Sequence, residues 1–177
     1  MPKHANHERY LNDHLAGSCG ALRLLDDLAG RQGDPSGREF FLALKGRIEA
    51  DQKLLRELLA QAGMEESGML QAAGSLTASA GRVKLLWEGF EPGKLGMFEA
   101  LEMLALGIQG KRLLWRVLAD VGSGVAGWEH VRFVDLEQDA VRQRDAVEER
   151  RMAEGRACLL DREAYGTSRT SPPAIAR

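Results

Sequence analysis

Apolar positions along this chain recur at helical intervals almost from end to end, and one stretch is apolar over most of its circumference. Between Lys94 and Asp120 (KLGMFEALEMLALGIQGKRLLWRVLAD) there is no proline, and leucines, methionines and a tryptophan point to nearly every side of a helical projection. Only Glu102, Gln109 and Arg116, spaced by sevens, form a stripe fit for water. A helix of that kind must be surrounded by other helices. The pattern therefore predicts a central helix and a helical layer around it.

The rest of the chain supplies that layer. From Ala5 to Ala29, Leu11, Leu15, Leu22, Leu25 and Leu28 recur at spacings of three, four and seven, with Gly17, Gly20 and Ala21 permitting a close helix approach. GRQGDPSG (30–37) breaks the pattern, and Asp34-Pro35 suits the N-cap and first position of a second helix. That helix runs to Ala62, with Phe40, Phe41, Leu44, Ile48, Leu55, Leu58 and Leu59 inside and Gly63 placed as a C-terminal cap. A fainter helix follows over 69–87, marked by Met69, Ala73, Leu76, Ala80, Val83 and Trp87. After the central helix, the glycine-rich VGSGVAG leads into a last helix from Trp128 to Cys158.

Connection lengths set the topology. Short links join helices one and two, and helices three (the central one) and four, so each pair is expected to be antiparallel. The long stretch between helices two and three can traverse a bundle and let those two run parallel. The expected fold is all-α, a ferritin-like four-helix bundle with a helical crossover between helices two and three; the alternative is a plain five-helix up-down bundle. One domain over 1–163 and a flexible tail over 164–177, YGTSRTSPPAIAR at its heart, complete the organisation.

Several polar side chains fall on apolar arcs. They are His14 and Ser18 in helix one, Asp51 in helix two, Glu99 among Leu95, Leu106, Leu113 and Val117 in helix three, and Glu137, Arg144 and Glu148 in helix four, with His130 near its start. Buried charges have to be paired. Carboxylates converging on a bundle axis are the ligands of di-iron and di-manganese sites, which in ferritin-like proteins draw on Glu-x-x-His repeats. This sequence has no Glu-x-x-His; Glu49 and Gln52 at that spacing are read as outward-facing. At about 1.5 Å rise per residue, His14, Asp51 and Arg144 reach similar mid-bundle levels. A guanidinium suits bidentate pairing with a carboxylate and repels a dication, so an Asp51–Arg144 ion pair is expected where a metal would sit. The expected site is thus a buried polar cluster of Asp51, Arg144, His14, Ser18, Glu99, Glu137 and Glu148, with no metal, no cofactor and no catalytic residue.

Composition narrows the rest. Lys and Arg number 24 against 26 Asp and Glu, a net charge of −2, which offers no electrostatic footprint for nucleic acid or an anionic membrane. No run approaches the roughly 20 apolar residues of a membrane span, and the N-terminus lacks a signal-peptide core. Cys19 and Cys158 are expected as reduced thiols in a cytoplasmic protein. No Ser-His-Asp or Cys-His arrangement supports hydrolase chemistry.

The segments YLNDHLAGSCGALRLLDDL and LEMLALGIQGKRLLW, in that order, resemble uncharacterised bacterial ferritin-like bundle proteins, and more faintly ferritin-like stress-associated proteins. The resemblance implies a fold and an ancestry in which metal binding was possible. Against the family pattern, Ser18 stands in the place of a helix-one Glu, and Val141 and Arg144 stand where helix four carries Glu-x-x-His. The expected function is that of a non-catalytic bundle acting through protein–protein contact or as a homo-oligomer such as a dimer, with Met69, Trp87 and Phe90 as an apolar patch. The alternatives are a divergent di-metal carboxylate oxidase or metal-storage protein using Asp51, Glu99, Glu137, Glu148 and His14, and a carrier of a small apolar ligand with a cavity along the central helix.

Overall fold

The computed structural model describes residues 5–67 and 94–160. Four helices of nearly equal length make up this part: α1 (Ala5–Arg31), α2 (Pro35–Gln61), α3 (Lys94–Val121) and α4 (Phe133–Leu159). There is no strand among the described residues. The expected helix over 69–87, its apolar patch, and the tail over 164–177 lie outside them. At 27 residues, α1, α2 and α4 are each about 40 Å long.

The boundaries follow local chemistry. Asp34 adopts an extended conformation and its carboxylate accepts from Gly37 N at 2.7 Å and from the Ser36 hydroxyl at 2.6 Å, with Pro35 opening α2. These bonds hold the Asp34 carboxyl below the usual carboxylate range, the Ser36 hydroxyl first and the Gly37 amide second. Asp34→Ala should therefore fray the first turn of α2, read as faster hydrogen exchange at Gly37, with the interior of the helix unaffected. At the other end Gly63 takes a φ of 65°, and Met64 N bonds back to Leu59 O at 2.9 Å, closing α2 as its position predicts.

Two apolar clusters occupy opposite ends of the bundle. One gathers Leu11 and Leu15 of α1, Leu55, Leu58 and Leu59 of α2, Leu114, Trp115 and Leu118 of α3, and Phe133 and Ala140 of α4. The other joins Leu24, Leu25 and Leu28 of α1, Phe41, Leu44 and Ile48 of α2, Ala100, Leu101, Leu104 and Ile108 of α3, and Val147 of α4. The first end thus holds the starts of α1 and α4 and the finishes of α2 and α3. So α1 and α4 run one way, and α2 and α3 run the other. Each pair α1–α2 and α3–α4 packs as an antiparallel hairpin, and α1 also packs on α3.

Helix α3 buries a different arc from the one expected. Its inner row is Ala100, Leu101, Leu104, Ile108, Leu114, Trp115 and Leu118, whereas Leu95, Leu106, Leu113 and Val117 are exposed together with Glu99. Both rows are apolar enough to face a core. The outer one carries Glu99, Glu102 and Asp120, whose charges would lose their hydration if turned inward. The inner one carries Trp115, whose large ring gains most from burial.

Helix α4 begins at Phe133, later than the sequence suggests. Arg132, with a ψ of 75°, is not helical and separates Trp128 from the helix that follows, while Gly127, at a φ of 93°, turns the chain just before the tryptophan. Trp128 instead lies in the connection as a plug: it is fully buried, its indole N–H donates to Leu58 O at 2.9 Å, and its ring meets Phe133 edge-on. The Gly122–Gly124 turn is short and tight, and a Cβ on Gly122 would stand 2.7 Å from Phe133 Cε2.

Candidate functional site

The centre of the bundle, between the two apolar clusters, is polar. Lys111 lies on the inner row of α3, three residues after Ile108 and three before Leu114, so its side chain enters the bundle. Its ammonium donates to Asp51 Oδ2 of α2 and to Gln143 Oε1 of α4, both at 2.5 Å. Gln143, only 3% exposed, passes its amide N–H to Asp139 Oδ2 at 2.5 Å, and Asp139 also pairs with Arg142 at 3.2 Å and Arg47 at 3.7 Å. One lysine therefore links three helices at a single level. Burial pushes the Asp51 carboxyl above the usual range, outweighing the pull of Lys111, and the nearby Asp139 pushes the same way.

This is a correction to the expected Asp51–Arg144 pair. Arg144 turns to the rim, donating to Gln109 at 2.9 Å and to its neighbour Asp145 at 2.7 Å. The cation at the centre comes from α3. Lys111 starts deeper in the bundle than Arg144, because α3 presents its inner row there while Arg144 sits on the flank of α4 that faces the α3 seam.

A second polar set lies beside the first, on the α1 side. Gln52 Nε2 donates to the Ser18 hydroxyl at 2.6 Å, and Ser18 in turn donates to Leu15 O at 2.7 Å. Gln52 also lies 3.5 Å from Cys19 Sγ and accepts from Arg56 at 3.4 Å. Gln52 is buried, not outward-facing as its spacing from Glu49 suggested. His14, Ser18, Asp51, Gln52 and Lys111 all line one cavity of about 150 Å³ between α1, α2 and α3. So the structure does bring together His14, Ser18 and Asp51.

The remaining expected members go elsewhere. Glu137 is buried, but it pairs with Arg112 at 3.1 Å and Arg116 at 3.4 Å across the α3–α4 seam. Glu148 makes a two-point contact with Arg151, at 2.7 Å on each side, and Arg151 reaches Glu102 at 3.3 Å. Glu99 is on the outer face of α3 and His130 is exposed in the connection before α4. The Glu102, Gln109 and Arg116 stripe meets Arg151, Arg144 and Glu137 in turn, so it is the polar edge of the hairpin. Among the described residues no group of three or more His, Cys, Asp or Glu side chains is placed to hold a metal ion. Cys19 and Cys158 are both free.

Comparison with family models, with curated proteins and with solved structures returns no match. The architecture and this polar layer are therefore what any functional reading has to rest on. None of the described helices is long and apolar enough to cross a membrane.

Sequence reasoning missed Lys111, Gln143, Asp139 and Gln52, as well as Asn12. The first two were legible: each is a polar residue at i+3 of a buried apolar position, Ile108 and Ala140, and on the same arc. Asn12 bonds the segment after α2 to α1. Its amide donates to Glu8 O and Glu65 O, and its carbonyl oxygen accepts from Ser67 N at 2.8 Å. No local pattern announces such a clamp, because its partners come from a distant turn.

His14 gives the site a pH dependence. Burial holds its imidazole below the ordinary value, with Asp13 opposing, and its ring meets Tyr10 edge-on at 4.7 Å. A depressed histidine pKa means that the unfolded chain takes up the proton first. Stability from this group is complete above about pH 6.5 and is lost as pH falls through the folded value. Asp51 acts in the opposite sense, since its raised pKa favours the folded state on protonation. From pH 8 to pH 5.5 the urea midpoint of the wild type should fall relative to that of His14→Gln, in which this contribution is absent.

Proposed function

We propose that this chain is a non-catalytic bundle of ferritin-like connectivity in which the Lys111 ammonium takes the mid-bundle place that a metal pair holds in metal-binding relatives of such a fold, and that it acts through protein contact, self-association included. The observation that carries this reading is the bridge from Lys111 to Asp51 and Gln143. A fixed cation there neutralises the carboxylate a dication would need and repels the ion itself. Two further features support it. Helix α2 finishes at one end of the bundle and α3 begins at the other, the sense of a ferritin-like bundle and not of an up-down one. The outer side of the α3–α4 hairpin carries Leu106 (60% exposed), Leu113 (52%) and Val134 (52%), with the balanced ion pairs of the seam between the helices. Exposed apolar residues on either side of a line of paired charges are suited to a protein partner.

Two measurements test the reading. Elemental analysis of protein purified without chelator should find iron and manganese well below one per chain; stoichiometric metal would favour the divergent di-metal oxidase or storage protein instead. Light scattering at high micromolar concentration should find a dimer that Leu106→Glu with Leu113→Glu converts to a monomer of unchanged helicity. A wild-type monomer would remove self-association from the account.

A further inference from the structure

The cavity beside Lys111 is more than a packing defect. Three of its lining residues, Asp13, Gly17 and Gly107, are exposed, so it opens to solvent along the α1–α3 seam. Its walls are Ile48, Leu55, Ile108 and Leu114, and its floor is the Asp51–Lys111 pair. Glycines make the room: a Cβ built on Gly17 or on Gly107 would find no atom within 4 Å. The small residues of α1, which predict close approach, here keep two helices from filling the gap between them.

Size and charge define what fits. A cavity of about 150 Å³ with a mostly apolar lining accepts a molecule the size of benzene. Asp13 and Asp51 against Lys111 leave the lining with a formal excess of one negative charge, which disfavours an anion, and the Lys111 ammonium already seated on Asp51 repels a second cation there. The Asp51 carboxylate accepts from Lys111 at Oδ2 and keeps acceptor capacity at Oδ1. We propose that this cavity is a binding site for a small neutral ring compound bearing one hydroxyl, its ring held between Ile48, Leu55, Ile108 and Leu114 and its hydroxyl donating to Asp51. The site is formed within one chain and does not depend on the self-association proposed above.

The probe is phenol, with toluene as the same ring without a donor and benzoate as the anion, each titrated into the full-length protein and followed by backbone amide NMR. Phenol at millimolar concentration should shift the amides of Gly17, Gly107 and Lys111. Toluene should bind at least about tenfold more weakly, the worth of a hydrogen bond to a charged acceptor, and benzoate should leave those amides unmoved. Gly107→Leu and Gly17→Leu each place a side chain in the open space. Each should abolish the phenol shifts while keeping helicity and without lowering the unfolding midpoint, since leucine is the better helix former. No phenol shifts in the wild type, equal binding of phenol and toluene, or unchanged phenol binding in a folded leucine variant would overturn the proposal. Should both leucine variants unfold, the ranking of the three probes on the wild type decides.

Discussion

Lys111→Met on its own should cost about 3–5 kcal/mol of unfolding free energy, the typical penalty for removing one partner of a buried pair. Asp51 and Lys111 are each about one-seventh exposed at the side chain, so water can replace little of what is lost (14% and 13%). The substitution strips Asp51 of its cation and Gln143 of its donor at once. The pair itself contributes far less than that figure, because burial already outweighs the pull of Lys111 on the Asp51 carboxyl. Asp51→Leu combined with Lys111→Met should accordingly recover most of the loss, leaving the cost of the Gln143 carbonyl oxygen without its donor. Urea unfolding of the four proteins in this cycle, with equal m-values, provides the comparison. A single substitution costing under 1 kcal/mol would show that Lys111 is effectively solvated.

The second large effect is expected at Trp128. Trp128→Ala should destabilise by about 3–5 kcal/mol, the range for removing a buried tryptophan. It would open a hole between His7, Phe133 and the end of α2, where the indole now seals the bundle. Trp128→Phe should cost only about 0.5–1.5 kcal/mol for the hydrogen bond. Leu58 O keeps a second donor, Ala62 N at 3.1 Å, so no buried carbonyl is orphaned. If alanine and phenylalanine cost the same, the indole N–H and not the ring is what holds the end closed.

Helix positions were legible because each is written in a period that depends only on neighbours along the chain. The Asp34-Pro35 start and the Gly63 stop of α2 are local chemistry, and the structure places both as the sequence implies. What failed was rotation. In α3 the rows through Leu106 and through Leu104 are both apolar, and the choice between them is made by the other helices, not by α3 alone. Taking the row with Glu99 as the inner one hid Lys111, which lies on the true inner row. The same error, carried to α4, made Arg144 the central cation and overlooked Gln143. His14, Ser18 and Asp51 line one cavity, and α1 and α2, which carry them, each have one clear apolar face.

Small structural details also escape a period. Trp128 was read as the first residue of the last helix, yet the positive φ of Gly127 turns the chain so that the indole reaches α2. Gly155 sits in α4 where a Cβ would stand 2.9 Å from Phe98 Cε2, a close approach that also lets Arg151 lie 5.2 Å over that ring. Neither contact could be found without knowing which helices are neighbours.

The most direct measurement is a side-chain ¹⁵N–¹H correlation of the lysine ammonium groups near neutral pH, with Lys111→Arg used for assignment. The structure predicts one ammonium signal whose protons exchange slowly with water, absent in Lys111→Arg and lost or sharply broadened in Asp51→Asn. A Lys111 ammonium that exchanges as fast as the surface lysines, and is indifferent to Asp51→Asn, would contradict a cation seated at the centre of the bundle.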